Sequence, residues 1–277
     1  MRWLDVLVVG YYTLVVTESP FIVSLMLFLR MLPMFILGAF AGVMSERLDR
    51  RVVLCTLLLG MTAMYGTLAW LAIQDMLELW HLAVGVVYSG VFWSFELPVR
   101  RTMAGDIAGP ERLPRAMGLE SATNSITRAV GPFVGGGLYD TVGIQGAFGL
   151  GVTVCFIGAI MLATVRRGAR SEGFVPTAIL TGLREGASYV RQERVIQAVL
   201  VVTIILNLFG FACVSMFAVI GRESFGMSAS ETGLLASAEG FGALCGSLLV
   251  ASSGRKRHLS RIFAFGARVY TFVLALF

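Results

Sequence analysis

Six polar side chains stand inside long apolar runs of this 277-residue sequence: Asp5, Arg30, Glu120, Asn124, Arg128 and Glu239. In hydrocarbon such groups are costly, so each needs a partner, a water-filled cavity or a proton. The chemistry they can offer is charge neutralisation and proton exchange. Glu120, Asn124 and Arg128 recur at i, i+4 and i+8, which draws one polar stripe along a helix face. Gly131 and Gly135 lie within about 60° of that stripe at 3.6 residues per turn. Such a stripe either faces a cavity or glues helices together. Asp5 and Arg30 sit about twelve and about eleven residues from the outer ends of adjacent apolar runs, at nearly one depth, so the spacing predicts an ion pair. Glu239 has no evident partner in the sequence. That suits a reversible proton carrier, or else a glutamate facing the cavity. Arg268 has no neighbour that the sequence can place.

Bond-breaking chemistry finds no support. The sequence has no HExxH, GxSxG or Walker loop. Its two histidines, His81 and His258, fall at the edges of apolar runs, and its four cysteines, Cys55, Cys155, Cys213 and Cys245, stand singly without metal-ligand spacing. No enzyme activity, metal or cofactor is expected.

The elements that must position the charges are membrane helices. Hydrophobic residues make up 57% of the chain, charged residues 14%, and the mean hydropathy is +0.81, well outside the range of soluble globular domains. A helix needs about 20 apolar residues to cross hydrocarbon. By that measure 3–17 is a short first run, followed by spans near 20–44, 52–73, 80–97, 116–138, 147–165, 196–220 and 232–251, with a ninth beginning near 262. Arginine and lysine fall almost entirely in alternate loops (Arg47, Arg50, Arg51; Arg100, Arg101, Arg112, Arg115; the 166–195 segment; Arg255, Lys256, Arg257, Arg261), while the opposite loops carry Arg222 alone. The positive-inside rule makes the first set cytoplasmic. The basic balance is therefore a matter of topology, and no nucleic-acid partner is expected. Segment 166–195 places Ile179, Leu183, Gly186, Ala187 and Val190 on one face, as an amphipathic helix at the cytoplasmic interface does.

Between the second and third spans the sequence reads GAFAGVMSERLDRR, from Gly38 to Arg51. Gly38 and Gly42 share one face of the span, as small residues do where helices approach closely. Glu46, Arg47, Arg50 and Arg51 follow within a tight charged hairpin. An ordinary positive-inside loop accounts for the charges. A gating hairpin accounts for their spacing as well. Gly42, Glu46, Arg47, Arg50 and Arg51 resemble the signature loop of major facilitator superfamily transporters. Glu46 stands where that family usually has Asp, and Asp49 where it usually has Gly. Gly131, Pro132, Gly135 and Gly136 are similar to the helix-5 motif of the superfamily's antiporters. GPERLPRAMGLESATNSITRAVGPFVGG and LTGLREGASYV resemble the branch that holds enterobactin exporters and macrolide efflux pumps. An arginine that proton-linked members carry inside helix 4 has no counterpart here.

The resemblance implies an all-α integral membrane protein with the major facilitator fold: two parallel six-helix halves, about nine of twelve helices present, the second half incomplete. Gly38, Gly42 and Arg51 recur as Gly242, Gly246 and Arg255 at one common offset, which equates the second span with the eighth. That offset places the start of the first span before Met1 and the end of the second half beyond Phe277. The expected division is 1–165 for the first half, 166–195 for the linker and 196–277 for the second half. The implied function is proton-linked export of an amphipathic small molecule, of drug, macrolide or siderophore type, by alternating access in the bacterial cytoplasmic membrane. The motif loop and linker would face the cytoplasm and the complete protein would act as a monomer. A truncated fragment without transport activity, or an importer or facilitator of the same fold, is the alternative. Glu46 is expected to pair with Arg100 or Arg101. Pro132 with its glycines is expected to be a hinge as well as a packing surface.

Overall fold

A computed structural model describes residues 1–47, 49–164 and 216–252, with short pieces between 191 and 202 and between 265 and 273. Side chains are described over these residues except 39–47, 110, 114 and 247–252. The described residues are helical throughout, with no strand among them.

Helix α1 (Arg2–Thr17) ends where Glu18 turns left-handed at φ 48°, its N–H bonding back to Leu14. Ser19 and Pro20 then start α2 (Pro20–Arg47), proline serving at a first position where its missing N–H has no helical partner to lose. Helix α3 (Arg50–Ile73) is capped by Asp49, whose carboxylate accepts from the backbone N–H of Arg51 (3.0 Å) and of Val52 (3.4 Å). The turn before α3, expected to be made without glycine, is made by this aspartate cap.

Helix α4 (Leu79–Val142) opens with a reciprocal cap between Glu78 and His81. It joins two expected spans into one 64-residue element, broken only at Gly109, where φ is 70°. Gly109 precedes Pro110, which disfavours helical backbone before it, and glycine alone takes the positive φ at no cost. The basic loop expected near 98–115 is therefore helical. At 1.5 Å per residue, the 31 residues of Leu79–Gly109 reach about 46 Å, beyond the roughly 30 Å of hydrocarbon. Helix α5 (Ile144–Thr164) follows Gly143; after a π-helical turn (Ile220–Ser224) comes α6 (Ala229–Ser252).

Among the described residues, four stretches are long and apolar enough to cross a membrane: Pro20–Gly38, Arg50–Ile73, Leu79–Gly109 and Ile144–Thr164. Their outward faces carry Phe21, Phe35, Ile73, Ile107 and Met161, while the centre holds Val8, Met26, Met61, Tyr65, Leu82 and Phe148. Helix α2 lies along the first limb of α4, α3 along α5, and α6 along the second limb of α4. Gly90 sets the first of these contacts: a Cβ there would stand 2.1 Å from the Arg30 carbonyl oxygen. The linker, most of the seventh and ninth expected spans, and the side chains of Gly42, Glu46 and Arg47 lie outside the described residues.

Candidate functional site

The charges of the apolar runs collect into three groups. Deepest is the pair expected from spacing. Arg30 Nη1 donates to Asp5 Oδ2 and, at 3.1 Å, to Ser89 Oγ. Arg30 is 2% exposed and Asp5 5%, and the buried Tyr65 hydroxyl also faces Asp5. Trp93 lies between two arginines, with Arg30 5.2 Å and Arg2 4.4 Å from its ring centroid.

Towards the cytoplasmic end runs a chain of alternating charge. Arg2 meets Glu96 (3.2 Å), Glu96 meets Arg100 (2.8 Å), and Glu120 meets both Arg100 (3.2 Å) and Arg101 (3.3 Å). The expected partner of Glu46 is thus already engaged: Arg100 bridges Glu96 and Glu120, and Arg101 is held by Glu120. At the motif loop, Arg50 pairs with Asp106 and Arg51 donates to the Ala163 carbonyl, tying the start of α3 to the ends of the first limb of α4 and of α5. Gly38 has nothing within 4 Å of its Cβ position, so no close helix contact forms there among the described residues.

The third group corrects a reading of the sequence. Glu239, which lacks a sequence-evident partner, receives Arg128 on both oxygens. Arg128 Nε donates to Oε2 at 3.0 Å and Nη2 donates to Oε1. The pairing was hidden because the two residues lie on helices far apart in the chain, and no spacing rule reaches across them. The other face of the Arg128 guanidinium lies 4.5 Å from the Trp3 ring centroid. A cleft of about 20 Å³ opens beside it, lined by Trp3, Leu7, Pro132 and Phe217 together with the ion pair. Trp3 Nε1 is buried without a hydrogen-bond partner among the described residues. Asn124 is exposed on the same limb, nearer the cytoplasm.

The pair closes a seam that is tight on one side only. Above it, towards the outer end, Gly136 admits the Ala229 carbonyl (2.1 Å from a Cβ position) and Gly233 admits that of Pro132 (2.4 Å). Ser237 Oγ accepts the Phe133 N–H at 3.2 Å. Gly131 and Gly135 form the neighbouring face and take Leu4 of α1. Backbone through Gly131, Pro132, Gly135 and Gly136 is regular helix, so these residues act here as packing surface. Gly240 is the last close contact, 2.5 Å from the Ala129 nitrogen. Below it, among the described residues, nothing approaches a Cβ position at Gly242 or Gly246 within 4 Å, and Phe241 is 62% exposed.

Glu96, Ser89, Trp93 and Asp106 were not singled out from the sequence. Glu96 had a readable signal, since Arg100 stands at i+4.

A bundle of apolar helices with ion pairs inside it, and a glycine-lined seam between helices distant in sequence, has the build of a polytopic transporter. The family model described as transmembrane secretion effector matches residues 3–277, and the chain belongs to that family of the major facilitator superfamily. An uncharacterized transporter of the superfamily, YfiS of Bacillus subtilis, is 26% identical over 254 residues, covering 90% of this chain and 59% of its own length. Macrolide efflux protein A of Streptococcus pyogenes is 23% identical over 269 residues, covering 96% and 66%. The class C tetracycline resistance protein of Escherichia coli is 26% identical over 219 residues, covering 76% and 52%. The chain thus spans between about half and two thirds of the length of these relatives. It is an all-α, multi-pass protein of the cytoplasmic membrane.

Proposed function

We propose that this chain belongs to a secondary active exporter of an amphipathic small molecule, working by alternating access between halves 1–165 and 196–277 joined by the 166–195 linker. The observation that carries this reading is the one-sided seam. Helices α4 and α6 meet closely from their outer ends down to Arg128 and Glu239, and below that Gly242 and Gly246 have no close neighbour among the described residues. A central site reached from the cytoplasm and shut from outside is one of the two states an exporter needs. The names of two relatives, a macrolide efflux protein and a tetracycline resistance protein, support drug-type substrates.

Proton linkage is proposed at the same place. Ionised Glu239 holds Arg128 and closes the seam, and a proton on Glu239 removes that attraction and lets the halves part. Arg128, freed, keeps the Trp3 face or meets an anionic part of the substrate. Arg50, Arg51 and Asp49, with Glu46 and Arg47, form the proposed cytoplasmic gate, and Pro132 with its glycines the proposed hinge. Asp5 and Arg30 stay together as a strut, while Glu120 and Asn124 line the cytoplasmic approach.

In the full-length protein reconstituted in vesicles, Glu239→Gln should abolish export driven by a pH gradient and leave exchange down a substrate gradient intact. Gradient-driven export at the parental rate would remove Glu239 from coupling. No transport of macrolides, tetracyclines or siderophores by the parent would remove the exporter reading itself.

A further inference from the structure

At the outer end of the seam one carboxylate spans the two helices. Asp140, in the last turn of α4, accepts from the N–H of Ala229 (3.2 Å) through Oδ1, and from both the N–H (2.8 Å) and hydroxyl of Ser230 through Oδ2. These N–H groups open α6, so they have no carbonyl of their own helix to bond. The partial positive charge of a helix start adds to the attraction. The cap is supplied by a different helix, nearly ninety positions away in the chain. Beside it Tyr11 of α1 donates to the Met227 carbonyl at 3.1 Å, and Arg222 stands over the Tyr11 ring at 5.5 Å. The contacts of Gly136 and Gly233 follow directly below.

We infer that Asp140 is a positioning residue for the transport cycle: a clasp that holds the outer ends of α4 and α6 together and sets how often the outer face opens. This rests on the exporter reading, since the clasp matters only if the seam opens. Three charge-assisted bonds made by one side chain, each stronger than a neutral one, must break together when α6 leaves α4.

The clasp stays charged at ordinary pH. Burial pushes the Asp140 carboxyl up, but bonds from the Ser230 hydroxyl and N–H, the Ala229 N–H and the Ser228 hydroxyl outweigh it and hold the group below its usual value. A carboxylate so depressed contributes fully above the ordinary aspartate range, and its contribution is lost only as pH falls below that range. The ionisable groups of this corner are Tyr139 on its own helix, with Tyr11 and Tyr12 on α1 and Arg222 in the π-helical turn near Tyr139, and Glu231 on α6, which accepts from the Ser228 N–H. None of these side chains donates a hydrogen bond to it. The outer clasp therefore keeps its charge at neutral pH.

The test needs no substrate. Ala236, buried in the seam, becomes the reporter through Ala236→Cys, with the four native cysteines replaced by serine, in intact cells treated with a membrane-impermeant thiol reagent. The parent should react slowly at neutral pH. Asp140→Asn should react about tenfold faster, Ser230→Ala about threefold faster, and Asp140→Glu close to the parent. Rates within twofold of the parent for both Asp140→Asn and Ser230→Ala would overturn the clasp. Ser230→Ala carries the test if Asp140→Asn does not accumulate. Such a failure would leave the exporter reading to its own assay, because labelling reports opening and not transport.

Discussion

Two ion pairs of the same composition, one arginine and one carboxylate, sit in different surroundings in this bundle. Asp5 and Arg30 join α1 to α2 within one half and are all but sealed, with Ser89 and Tyr65 filling out their shell. Arg128 and Glu239 join α4 to α6 across the seam, and their side chains are 25% and 33% exposed. A sealed pair cannot part without stranding two charges in hydrocarbon, so it behaves as a strut. A partly exposed pair strands less charge when it parts, which suits the proposed contact that is made and broken. Location decides the role, and residue type does not.

The largest expected effect comes from halving the sealed pair. Asp5→Asn or Arg30→Gln alone leaves one buried charge uncompensated and should cost about 3–5 kcal/mol in unfolding measured in detergent. The double variant should lose less than either single one, because it strands no charge. Additive losses would make the two residues independent and end the comparison.

A second contrast sets the tight part of the seam against the open part. Gly136→Ala and Gly240→Ala would place a methyl group 2.1 Å and 2.5 Å from backbone atoms of the partner helix, and overpacking of this kind costs about 1–3 kcal/mol. Gly242→Ala on the same helix meets nothing and should be neutral, or more stable by up to about 1 kcal/mol through helix propensity. Equal effects at Gly240 and Gly242 would mean that the seam does not end where the ion pair stands. A similarly small stability effect is expected at the half-exposed pair: Arg128→Gln should move unfolding by about 1 kcal/mol or less. The same change should still raise seam opening, read by thiol labelling at the Ala236→Cys reporter. A stability loss as large as that of Arg30→Gln would show a second strut.

Much of the architecture was legible because hydrocarbon is a demanding solvent. Apolar run length and the alternation of arginines gave the spans their order, and depth along adjacent runs sufficed to pair Asp5 with Arg30. Chemistry between distant helices was not legible. Neither Glu239 with Arg128 nor Asp140 with Ser230 has any periodicity in the chain, since each contact depends on how α4 and α6 cross. The cytoplasmic extension of α4 was missed for another reason: arginines and prolines near 98–115 resemble a loop, yet outside the membrane a charged helix is well solvated. Asp49 shows the same limit on a small scale. Its departure from glycine was visible, but its use as a cap on α3 depended on the backbone it turned out to hold.

Trp3 gives the molecule an optical handle on its own seam. The sequence has four tryptophans, and the ring of this one lies against the guanidinium that holds Glu239. Its nitrogen has no hydrogen-bond partner among the described residues, and the cleft beside it is scarcely larger than one water molecule. Indole emission depends on the charges and water at the ring, so parting α4 from α6 must change its colour. With Trp70, Trp80 and Trp93 replaced by phenylalanine, the remaining fluorescence would follow any parting of α4 from α6 in real time, without an attached dye.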